Sequence, residues 1–203
     1  MRRIAKSAGK PPARRRDATA TRAAILASAR KAFARAGYDG AGVREIAGGA
    51  GVTAMLVNRY FGSKEKLFAE VVAETMATPT ILSAKTLASP ARGAEMARAL
   101  VELTGTHATP LDGFLIMLRS ASSEQAARIA RKEIEKHHQK TLTAALHGKL
   151  APQRAAILLS LVAGFQVMRQ MIGLTDLAKA DQNDLMNVLA PLLEQLVANE
   201  QAA

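Results

Sequence analysis

The 203-residue sequence contains no cysteine, which excludes disulfides and thiolate metal sites. It has no tryptophan, and aromatic residues are 3% of the chain. Its large apolar share of 49% therefore comes mainly from alanine, leucine and methionine, which are good helix formers. Alternating β-branched runs are almost absent, so an all-α protein is expected. Long apolar runs are missing too. The longest, Ala155–Phe165, is too short to span a bilayer and is flanked by Arg154 and Arg169. The basic N-terminus is not followed by the apolar stretch a secretory signal needs. A soluble cytoplasmic protein with no membrane partner is expected.

Acidic residues are scarce in the first third. Residues 1–66 hold 15 Lys/Arg against 4 Asp/Glu, a net of +11, whereas residues 67–203 hold 13 of each. The whole excess of positive charge is therefore N-terminal. That asymmetry suggests a polyanion-binding module joined to a neutral module that binds something else. The simpler alternative is a solubilising basic tail.

Three regions follow. Residues 1–17 are basic and contain Pro and Gly, and they read as a disordered arm. Residues 18–66 begin with a helix from Thr19 carrying Ile25, Leu26, Ala29 and Phe33 on one face. Gly37 is a natural terminator for it, and Tyr38–Gly42 reads as a loop. Residues 67–203 read as helical throughout. Helices fit Arg92–Thr104, Leu111–Ala121, Ser123–Leu146, Ala151–Ile172 and Asp181–Asn199, the last bending at Pro191.

The segment from Val43 to Tyr60 carries the strongest signal. Two short helices, Val43–Ala50 and Thr53–Tyr60, flank a tight turn at Gly51-Val52. A helix-turn-helix needs a small residue where its helices approach, and Ala47 supplies it. Its turn needs a residue tolerant of positive φ, and Gly51 supplies that. Ile46, Ala50, Val52 and Val57 would hold the pair together. The second helix then projects Thr53, Ala54, Met55, Leu56, Asn58 and Arg59 toward a major groove. Asn58 suits phosphate or an adenine edge, and Arg59 suits phosphate or guanine. Met55 and Leu56 either touch thymine methyl groups or pack on neighbouring helices. Arg44, Thr53, Tyr60 and Lys64 are candidate phosphate contacts. Arg14, Arg15 and Arg16 would enter a minor groove or follow the phosphates.

Residues 21–68 resemble the N-terminal domain of the TetR family of repressors. The resemblance rests on the run from Thr21 to Tyr38 ending in Gly-Tyr, on V43-R-E-I-A47, on A50-G-V-T53 and on Y60-F-G-S-K-E-K-L67. It departs from the family in three ways. Ala41-Gly42 stands where a capping Thr is usual, Gly48-Gly49 lies in the first helix of the motif, and Asn58 replaces a frequent Tyr. Each of the two glycines costs about 1 kcal/mol relative to alanine.

The resemblance implies a homodimer reading a pseudo-palindromic operator in double-stranded DNA. It also implies a C-terminal domain that dimerises through its last two long helices and encloses a small-molecule effector whose binding releases DNA. The expected fold is thus all-α: a three-helix helix-turn-helix DNA-binding domain followed by a helical ligand-binding and dimerisation domain. The dimer helices would be 151–172 and 181–199. The first carries Ile157, Leu158, Leu161, Val162, Phe165 and Met168, too many apolar faces for one seam. Complete burial within one chain is the alternative.

Phe114, Met117, Leu118, Phe165 and Met168 are candidates for the effector pocket, or simply core. Arg119, inside an apolar run, needs a partner if buried, either a carboxylate such as Glu102 or a ligand anion. His107, His137, His138 and His147 read as solvated. No nucleophile–base pair, phosphate loop or carboxylate pair stands out, so no catalytic residue, metal or cofactor is expected. Two other readings stay open: a nonspecific or architectural nucleic-acid binder, and a carrier or enzyme with vestigial DNA binding.

Overall fold

A computed structural model describes residues 13–76, 81–105 and 112–198, with backbone only for 13–16 and 84. The described residues are helical, without strands. Helices α1 (Ala13–Gly40), α2 (Val43–Gly49), α3 (Ala54–Phe61) and α4 (Lys64–Met76) come first. Then follow α5 (Ala84–Ala88), α6 (Arg92–Leu103), α7 (Asp112–Ser120) and α8 (124–145, with a π-helical turn at Glu135–Gln139). The last are α9 (Ala151–Ile172, ending in a π-helical turn from Val167), α10 (Thr175–Ala178) and α11 (Gln182–Val197).

Two boundaries differ from the sequence expectation. Ala13–Asp17, assigned above to the arm, form the first turn of α1. Alanine and arginine are strong helix formers, and no proline interrupts the chain between Pro12 and Pro79. Residues 1–12 lie outside the described residues. Within 38–42, expected as a loop, the chain makes a further helical turn as far as Gly40 after a break at Gly37. The π-helical turns and α10 carry no periodicity signal that would announce them.

Two apolar clusters form the interior. The first joins α1–α4 through Ile25, Phe33, Ile46, Val57, Leu67 and Phe68 and continues into Ile116 of α7 and Ala126 of α8. Three of the chain's seven aromatic residues meet at its centre. Phe33 and Phe68 pack edge-to-face at 5.0 Å, as do Tyr38 and Phe68, a favoured arrangement. The second cluster joins α6, α9 and α11 with the end of α8 through Met96, Leu100, Leu142, Leu158, Leu189 and Leu193. Packing therefore does not divide at residue 66. The amphipathic face of α4 is part of the first core, and α7 and α8 lean on it.

Three arginines close helix C-termini on which carbonyls would otherwise lack partners. Arg154 donates to Leu196 O, Ala198 O and His147 O. Arg169, 4% exposed, donates to Val101 O, Thr104 Oγ1 and Leu177 O, and burial lowers its pKa. Arg119 donates to Ala34 O and Arg35 O at the end of α1. Arg119 thus pairs with carbonyls at the negative end of a helix rather than with Glu102.

Candidate nucleic-acid interface

The helix-turn-helix is built from α2 and α3. Ile46, Ala47 and Val57 are buried between these helices and α1, while Ala50 and Val52 pack at the edge. Gly51 sits at φ 68° in the turn, a conformation that suits glycine. Thr53 caps α3, its hydroxyl accepting from Leu56 N at 3.3 Å. Ser63 caps α4 by accepting from Lys66 N at 3.2 Å. At the start of α2, Gly42 offers no side-chain cap, as the sequence leads one to expect.

The two glycines of α2 play different parts. A Cβ at Gly48 would meet nothing within 4 Å, whereas one at Gly49 would lie 2.4 Å from Ser28 Oγ. That hydroxyl donates to Ile46 O at 2.8 Å. Gly49 thus permits the close approach of α1 and α2, and Gly48 is a plain weakness. Gly48→Ala is expected to stabilise the protein by about 1 kcal/mol. Gly49→Ala is expected to cost about that much, because it displaces the Ser28 hydroxyl. Urea midpoints check both. The double change Ser28→Ala with Gly49→Ala should recover part of the loss relative to Ser28→Ala alone.

On α3, Met55 is 81% exposed. Asn58 and Arg59 are exposed beside it, and these three fall on one face at i, i+3 and i+4. Thr53 is exposed at the N-terminus. Ala54 packs on the first core and Leu56 is half-buried, so neither is a fully outward residue. Tyr60 is half-buried with its ring against the core.

The cations around this face separate into two groups. Arg22, Arg30 and Arg35 pair with Glu70, Glu74 and Glu45. Arg44 and Arg59 are exposed and have no ion pair among the described residues. Lys64 Nζ lies 4.7 Å from the centre of the Tyr38 ring, a cation–π contact. Burial first, and then the charges of Glu65 and Asp39, raise the Tyr38 pKa, so the phenol stays neutral. Lys66, which the sequence reading leaves out, is exposed and has its ammonium near Gly62 at the end of α3. Its spacing of four from Gly62 is the signal that would have found it. The backbone of Arg14, Arg15 and Arg16 is helical at the start of α1.

The residues expected in an effector pocket do not come together. Met117 packs against the first cluster, and Phe165 against the second. Phe114 is half-buried on α7, Leu118 and Met168 are exposed, and Arg119 closes α1. An open cleft of about 340 Å³ lies between α7 and α8, lined by Met117, Ala121, Ala127, Ala130, Ile134 and polar residues at its rim. Adjacent apolar residues in α7 face different neighbours, which sequence proximity conceals.

The histidines of α8 are less solvated than expected. His137 Nε2 stands 3.2 Å from Glu133 Oε2, an ion pair when protonated, though off-line for a hydrogen bond. Burial lowers the pKa of His138. Among the described residues no group of three or more His, Asp and Glu is placed to hold a metal ion.

Residues 25–71 match the family model described as bacterial regulatory proteins, tetR family. Residues 91–197 match that of the tetracyclin repressor-like C-terminal domain. No curated protein sequence matches the chain. Among solved structures, a TetR-family regulator from Streptomyces coelicolor A3 is 23% identical with a TM-score of 0.57, covering 93% of this chain and 98% of its own. One from Agrobacterium tumefaciens is 21% identical with a TM-score of 0.61, covering 89% and 99%. The multidrug binding protein EbrR, complexed with proflavin, is 21% identical with a TM-score of 0.54, covering 85% and 99%. With both its helix-turn-helix and its C-terminal region matched, the chain belongs to the TetR family of DNA-binding transcriptional regulators.

Proposed function

We propose that the protein is a homodimeric repressor. Each subunit lays α3 in the major groove of one half of a pseudo-palindromic operator, and a small molecule in the C-terminal region releases the DNA. The observation that carries the reading is the unpartnered face of α3: Met55, Asn58 and Arg59 are exposed together while nearby arginines are neutralised by glutamates. Asn58 and Arg59 read base edges. Arg44, Thr53, Tyr60 and Lys64 hold phosphates, and Arg14, Arg15 and Arg16 extend the basic surface along the duplex.

Dimerisation through 151–172 and 181–199 is supported by apolar side chains left in solvent on both helices. Ile157, Met168 and Ile172 are exposed on α9, and Val188 and Leu192 on α11. Residue 199 lies outside the described residues. Helix α9 is long and apolar enough to cross a membrane by composition, but it carries the buried Arg169 hydrogen-bonded to carbonyls, and a second protein copy suits it better. The effector reading draws on EbrR, solved with proflavin, and on the apolar floor of the α7–α8 cleft. The protein acts as a binding switch in the cytoplasm and performs no catalysis.

Binding-site selection from random duplexes tests the DNA reading. The expected product is an inverted repeat whose half-sites are about 34–36 Å apart or a multiple of that. It should bind roughly 10³-fold or more tightly than random sequence. A nonspecific binder would return no repeat and only a salt-dependent affinity.

A further inference from the structure

We propose that Met55 reads the 5-methyl group of a thymine within about two base pairs of the base read by Arg59. The inference rests on α3 being the recognition helix. Met55 is 81% exposed, the highest value among the large apolar side chains of the described residues. Its exposure excludes packing against α1 or α4 as the reason for a methionine there. Leu56, its apolar neighbour, is half-buried and does not share this position.

The rest of the face is polar: Asn58 and Arg59 project from the same side one turn later. A large apolar group on such a face gains nothing from water. It matches the one apolar feature that a base pair presents in the major groove, the thymine methyl. The flexible thioether adapts to a methyl without exact geometry. Met55 also lies in the first turn of α3, the end of a recognition helix that meets the bases.

The spacing follows from helix geometry. Four residues at a rise of about 1.5 Å separate Met55 from Arg59 by roughly 6 Å. Base pairs stack about every 3.4 Å, so the two contacts fall within about two steps, fewer the more α3 tilts from the duplex axis. Cytosine lacks the methyl, whereas 5-methylcytosine has it, so cytosine methylation at that position would restore the contact alone.

The test uses the operator obtained by selection. Each thymine of a half-site is replaced in turn by deoxyuridine, which removes only the methyl group. Affinity is measured for the wild type, Met55→Ala and Arg59→Ala. One position in each half-site is expected to weaken the wild type about fourfold, the effect of one buried methyl. Met55→Ala should be indifferent to deoxyuridine at that position, with an unchanged melting temperature. The base at which Arg59→Ala loses discrimination should lie within about two pairs of it. The proposal is overturned if no deoxyuridine weakens binding, or if Met55→Ala still responds at the sensitive position. It falls with the recognition reading itself if selection yields no preferred sequence, a result distinct from specific but methyl-indifferent binding.

Discussion

Gly37→Ala is expected to lower the melting temperature by about 10 °C, while Gly51→Ala lowers it by about a third as much. Both glycines stand at φ 68°, but Gly37 combines it with ψ −177°, a region that essentially only glycine occupies, so alanine is strained more there than the roughly 1 kcal/mol of an ordinary left-handed position. Their surroundings differ. At Gly51 a Cβ has nothing within 4 Å, but at Gly37 it would lie 2.3 Å from Arg119 O. A backbone carbonyl cannot step aside alone. Tyr38 N donates to Ser120 Oγ at 2.9 Å in a buried bond, Arg119 donates to Ala34 O and Arg35 O, and Ser123 Oγ lies 3.2 Å from Asp39 Oδ1. Moving α7 away from α1 strains all of these contacts. The total is about 3 kcal/mol, combining the backbone strain at Gly37 with the displaced packing of α7 on α1. Equal melting temperatures for the two would contradict both the extra strain at Gly37 and the contribution of this contact.

The second large effect concerns assembly. Changing Ile157 and Val188 to glutamate together is expected to reduce the mass in solution from twice 21.5 kDa to 21.5 kDa. Both side chains are more than half exposed in the single chain, so the substitutions leave the monomer's core intact and helicity should persist. In the dimer they would bury charge without a partner. Operator affinity should then fall by about 100-fold or more, because two tethered recognition helices bind with an avidity that one cannot match. Random-sequence affinity should fall much less. A variant that remains dimeric would exclude this face as the interface.

The helix-turn-helix was legible in the sequence because its logic is local. Ala47, Gly51, Ile46 and Val57 lie within a dozen residues, and each is the size or shape its position needs. The role of Gly49 was not legible, since it depends on Ser28 on another helix; from the sequence alone it is only a weak helix former. The sequence implies a partner for Arg119 only if it is buried; it is exposed, and its partners are backbone carbonyls, which every residue carries and no residue type announces. The pocket candidates failed to converge for a related reason. Phe114, Met117 and Leu118 share one face of α7 at i, i+3 and i+4, yet Met117 packs on the first cluster while Phe165 of α9 packs on the second, and spacing along one helix does not announce which helix that face meets. The exposed face of α9 was foreseen as an excess of apolar residues, and Ile157, Met168 and Ile172 mark where it lies.

The most direct test of DNA reading by α3 is the ratio of operator to random-duplex affinity in the wild type, Arg59→Ala and Lys64→Ala at one fixed salt concentration. Arg59→Ala should cut the ratio by roughly 10-fold or more, by losing a base contact worth about 1–3 kcal/mol. Lys64→Ala should weaken both duplexes alike and leave the ratio near its wild-type value. An unchanged ratio in Arg59→Ala would contradict the assignment of this face as the one that reads sequence.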